Sequence, residues 1–117
     1  PTWFDEGVAM QQEKARRWGA DRDVQKAITN GVFIPLPELD RMRIYADSPA
    51  QRIELFYVES ASIVSFLIQE EGRFRFLSLC RNLQGGNDFH HAFELAYPHY
   101  KTLERLNEAW VDYLERK

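Results

Sequence analysis

The chain is 117 residues long and 44% hydrophobic, with eight Phe, five Tyr and three Trp. That length suits one domain rather than two, and the apolar content can remove roughly two thirds of the unfolded surface from water, which excludes intrinsic disorder. Fifteen basic residues against eighteen acidic ones give a net charge of −3, so no cationic excess is present to neutralise phosphates and nucleic acid is not an expected partner. The longest uncharged apolar run, Ala61 to Ile68, is eight residues, under half of the roughly 20 that a membrane span needs.

From Trp3 to Trp18 the apolar spacing predicts a helix stopped by Gly19, with Asp5 and Glu6 in the first turn where carboxylates suit the helix dipole. Asp21 or Asp23 opens a shorter helix through Ala27 and Ile28, closed by Asn30-Gly31. Pro35 and Pro37 each remove a backbone donor, so residues 32–46 are expected to be extended or looped, with a short strand at Val32–Ile34. Ser48-Pro49-Ala50-Gln51 carries a hydroxyl cap, a proline at the first helical position and a glutamine after it. It opens a long helix, about 49–71, whose apolar residues wrap more than one face and mark it as central and buried.

Three more helices follow. Arg73 to Gln84 ends at Gly85-Gly86, Asn87 or Asp88 caps a short helix stopped by Pro98, and Thr102 to Glu115 closes the chain with Leu103, Leu106, Trp110, Tyr113 and Leu114 on one face. The expected fold class is all-α, with five to six helices around one long central helix in a single domain spanning residues 1–117. The chain opens on Pro1 with no signal-peptide pattern, which reads as a piece of a longer protein, part of any site lying upstream of Pro1.

Adjacent helical residues point about 100° apart, so His90 and His91 do not chelate one ion together, and a solvated face is the simpler reading for them and for His99. Cys80 lies in an apolar stripe with Phe76 and Leu83 and reads as a small buried hydrophobe. Glu59 is either a buried partner for an arginine or an exposed charge, and Glu13 and Glu38 are expected in solvent.

The segment Trp3-Phe4-Asp5-Glu6-Gly7-Val8-Ala9 resembles the W-[LF]-x-E-G-x-A stretch that follows the HExxH helix in gluzincin zinc metallopeptidases of the MA clan. Downstream, Leu36 to Leu39, then Tyr57-x-x-Ser60-x-x-x-Val64-x-x-Leu67 running to Gly72, a leucine-rich helix ending in Gly85-Gly86, a short Phe89-to-Tyr97 helix and a closing Leu103…Trp110-x-x-Tyr113-Leu114 follow the order of the C-terminal half of bacterial peptidase-MA-like domains. The resemblance implies the helical part of a gluzincin-like domain, with Glu6 as third zinc ligand of a hydrolase and Gly7 and Ala9 letting its helix approach a neighbour closely. No HExxH exists in the chain, so the implied partner is an upstream half of the same domain carrying it. Zinc then belongs to the intact parent, and the chain alone binds none and is inactive.

The implied substrate is a peptide or protein, and the implied setting is an extracytoplasmic or membrane-tethered parent. Tyr57 would aim its hydroxyl at the oxyanion of the reaction, or it is a core aromatic beside Phe56 and Val58. Met10 stands four residues after Glu6, where related enzymes carry a polar residue that orients a ligand. The alternative is a non-enzymatic helical interaction module, or degenerate peptidase-like domain, self-associating through apolar surface around Trp3, Phe4 and one side of the long helix.

Overall fold

The computed structural model describes residues 1–12 and 14–117, the side chains of residues 14–18 excepted. The expectation for Glu13 lies outside these. The described residues form seven helices: α1 (Thr2–Met10), α2 (Lys14–Thr29), α3 (Leu36–Arg41), α4 (Ala50–Gln69), α5 (Arg73–Gln84), α6 (Phe89–Ala96) and α7 (Leu103–Arg116). The fold is all-α, as expected, and α4 is its axis, buried on every side through Phe56, Glu59 to Val64, Phe66 and Leu67. Helices α1, α2 and α5 pack on it, α6 lies on α5, and α7 packs on α3 and α2.

The termini of the later helices follow local sequence. The Asp88 carboxylate accepts the His91 N–H at 2.9 Å and the Thr102 hydroxyl accepts the Arg105 N–H at 3.3 Å, each satisfying a donor that its helix leaves free. Gly72 and Gly86 take positive φ where α4 and α5 give way to the next element. At α4 the expected serine cap is replaced: the Ser48 hydroxyl accepts the Tyr45 N–H at 2.9 Å and Pro49 occupies the cap position.

Several expectations are corrected, among them a helix opening at Asp21 or Asp23, which lie inside α2. The first helix does not run from Trp3 to Trp18, because α1 ends at Met10, Gln11 and Gln12 form a turn, and Gly19 lies inside α2. A glycine costs a helix interior only about 1 kcal/mol, and α2 packs along α4. Residues 32–46 are not wholly extended, since Leu36–Arg41 is helical with Pro35 as cap and Pro37 in the first turn, where the missing donors have no intrahelical partner.

Nor is Val32–Ile34 a strand. It begins an extended strap whose free N–H groups are met by side chains, Ile34 donating to Glu59 Oε2 and Leu36 to Asn107 Oδ1, each at 2.9 Å. The two prolines alternate with these donors, so the strap crosses α4 and α7 with the Ile34 and Leu36 N–H groups satisfied although no sheet is present among the described residues.

Candidate functional site

Helix α1, which carries Glu6, is fastened at three levels. At its start the buried Trp3 donates its indole N–H to Asp40 Oδ1 of α3 at 2.8 Å and stacks edge-to-face on Phe89, while Phe4 packs on Phe76 and Phe89. In its middle Gly7 lies against the α4 backbone so closely that a Cβ there would overlap the Ser60 carbonyl oxygen and the Val64 side chain. Close approach of the two helices therefore rests on Gly7, while Ala9 is exposed and has no part in it.

At the end of α1 the half-buried Gln11 donates its side-chain amide to Gly7 O at 3.1 Å and Ala61 O at 3.2 Å, and accepts the Ser65 hydroxyl at 2.9 Å. Glu6 sits between these anchors, half-buried, with the exposed Asp5 before it.

Met10, one turn beyond Glu6, is buried in a small cluster with Ala20 and Ala61, against which Tyr57 packs. Tyr57 is half-buried and meets Phe56 edge-to-face at 5.5 Å. The structure thus brings Tyr57 to the α1–α4 seam that also holds Gly7, and Met10 fills core space there.

The histidines act singly. His90 Nε2 lies 3.2 Å from Asp40 Oδ2, so one carboxylate joins the Trp3 indole to an exposed imidazole, and His99 Nε2 lies 2.8 Å from Glu71 Oε1 while Tyr100 donates to Glu71 Oε2 at 2.7 Å. His90 and His91 line an open cleft of about 410 Å³ with Asp40, Arg41, Glu94 and Lys101. Among the described residues no three His, Cys, Asp or Glu side chains converge where they could hold a metal ion. A metal ion at the half-buried Glu6 would therefore need ligands from beyond the described residues.

Glu59 settles differently from either sequence alternative. It is fully buried and bound to the Ile34 N–H rather than to an arginine, and its Oε1 has no hydrogen-bond partner among the described residues. Burial pushes its pKa up to about 8, the Ile34 N–H opposing that shift only in part. Cys80 is half-buried and its thiol is pushed up by burial, the opposite of a nucleophile's environment.

Sequence reasoning missed Gln11 and Asp40. Their partners lie 50 and 54 residues away for Gln11 and 37 for Asp40, and the only local signal was a polar residue beside the end of an apolar stripe. A family model described as Peptidase MA superfamily matches residues 1–116, and the chain belongs to that superfamily. No curated protein and no solved structure matches it.

Proposed function

We propose that this Peptidase MA superfamily chain is the helical part of a zinc-dependent peptidase in which Glu6 supplies the third protein ligand. The observation that carries the reading is the fixation of α1 on both sides of Glu6, by Trp3 on Asp40 before it and by Gly7 and Gln11 on α4 after it. A ligating carboxylate must keep its orientation to hold geometry, and a solvated first-turn glutamate needs no such anchoring. The remaining donors would be two histidines of an HExxH segment, which these residues lack.

When bound, the ion supplies Lewis acidity and a low-pKa water for attack on a peptide carbonyl. Glu6 contributes negative charge and orientation and moves no proton. Tyr57 is available at the same seam to donate its hydroxyl to developing negative charge on the substrate oxygen. Metal analysis of the natural full-length protein tests the assignment: Glu6→Gln is expected to lose its zinc while the wild type retains one ion. Full occupancy in the variant would show that Glu6 is a surface carboxylate.

A further inference from the structure

We infer that Gln11 is a positioning residue for Glu6, acting through the last turns of α1 and never touching metal or substrate; the inference rests on the zinc-ligand reading of Glu6. Helix ends leave carbonyls without intrahelical donors. At the end of α1 the Gln11 backbone N–H turns to Val8 O at 3.1 Å and the Gln12 N–H to Ala9 O at 3.3 Å. The Gln11 side chain bends back and takes the carbonyl of Gly7, the residue following Glu6, at 3.1 Å.

The same Nε2 reaches the Ala61 carbonyl of α4 at 3.2 Å, and Oε1 accepts the Ser65 hydroxyl one turn further along α4 at 2.9 Å. One amide therefore couples the peptide beside Glu6 to two successive turns of the central helix. Gly7 is already in contact with Ser60 and Val64, which sets the separation of the two helices. A bare glycine contact does not set rotation about the α1 axis. Gln11 adds to the Trp3 anchor at the start of α1, because its donor and acceptor ends engage groups at different heights on α4 beyond Glu6, and rotation of α1 is what would swing the Glu6 carboxylate.

Met10, one turn beyond Glu6, is turned into the core with Ala20 and Ala61, and a thioether gives a carboxylate no strong hydrogen-bond donor.

The test compares zinc affinity and the cobalt(II) absorption spectrum of the natural full-length protein with those of Gln11→Ala, Glu6→Gln and Gln25→Ala. Gln25 is a control of the same kind, donating its amide to Leu114 O at 2.8 Å between α2 and α7, away from α1. Gln11→Ala is expected to weaken zinc about 10- to 100-fold and to shift the cobalt bands, and Gln25→Ala to leave both unchanged. Should Gln11→Ala fail to fold, Ser65→Ala removes only the hydroxyl that orients the amide and is expected to shift the same bands in the same direction.

Zinc affinity within twofold of wild type in Gln11→Ala, with Glu6→Gln metal-free, would overturn the role of Gln11 and leave the ligand assignment standing. Wild-type zinc binding in Glu6→Gln, or no zinc in the wild type, would overturn the assignment and the positioning role together. An equal loss in Gln25→Ala would reduce Gln11 to general stability.

Discussion

Glu59 shows how a single side chain can carry a pH signature for the whole chain. Its folded pKa lies near 8 against 4.5 in its unperturbed state. Below about 4.5 it is protonated whether the chain is folded or not, and it contributes no pH dependence. Between 4.5 and 8 the unfolded chain ionises Glu59 while the folded chain keeps it neutral, so unfolding releases a proton and stability falls as pH rises, by up to about 1.4 kcal/mol per pH unit. Above about 8 both states are ionised and the contribution levels off.

Glu59→Gln keeps an acceptor for the Ile34 N–H and cannot ionise, so its stability relative to wild type is expected to rise across that window in urea titrations at successive pH values. Parallel pH profiles for the two proteins would mean that Glu59 is already charged in the fold. The sequence left Glu59 between a buried arginine partner and an exposed charge. Helical periodicity says which face a residue shares, not which distant backbone group it meets, and the Ile34 N–H is 25 residues away.

At the scale of elements, the strap before α3 is held by side chains that substitute for a neighbouring strand. Leu36 donates to Asn107 of α7, and α3 packs on α7 immediately afterwards. Asn107→Ala leaves that N–H without its acceptor and is expected to cost about 1–3 kcal/mol, with faster hydrogen exchange at Leu36 as the local readout. Unchanged protection at Leu36 would show that the bond is dispensable.

Element boundaries were legible where a local signal decides them. Asp88 and Thr102 cap their helices, and α5 ends before Gly85, because capping is settled within four residues. Helix α3 was not legible: prolines that forbid a helix interior are neutral in its first turn, and only packing of Leu36 and Leu39 in the core decided that the chain would coil there. The break after Met10 was likewise invisible, since Gln11 ends α1 through groups on α4.

For the molecule as a whole, a polar chain ties the C-terminal helix to the centre. The Trp110 indole donates to the Ser62 hydroxyl at 3.0 Å, Ser62 donates to Asp21 Oδ1 at 2.6 Å, and Lys117 donates to Asp21 Oδ2 at 2.5 Å. Trp110 and Ser62 are buried, so helices α2, α4 and α7 share one satisfied network inside the core. Trp110→Phe removes the indole donor together with part of a fully buried ring, and is expected to destabilise the chain by about 1–3 kcal/mol while denaturation stays a single transition. A second transition would show that α7 unfolds independently.

Trp3 and Phe4, around which an association surface was expected, lie inside this core at 0% and 5% exposure. Among the described residues, exposed large apolar side chains are spread over α1, the loops, α5 and α6, Phe74 being 90% exposed, and scattered residues of this kind are ordinary on a protein surface.

Amino-acid pattern alone carries the all-helical class, the central place of α4, the later caps, and, through Trp3 to Ala9 and the order of features behind it, membership of the Peptidase MA superfamily. These follow from periodicity and short-range chemistry, which act within one or two turns. Long-range packing settles where α1 stops, that prolines 35 and 37 begin a helix, that Glu59 is buried against Ile34, and that Glu6 rides on a helix held by Asp40, Gly7 and Gln11. Each of those depends on groups dozens of residues apart meeting across a packed interface, and no local pattern carries that information.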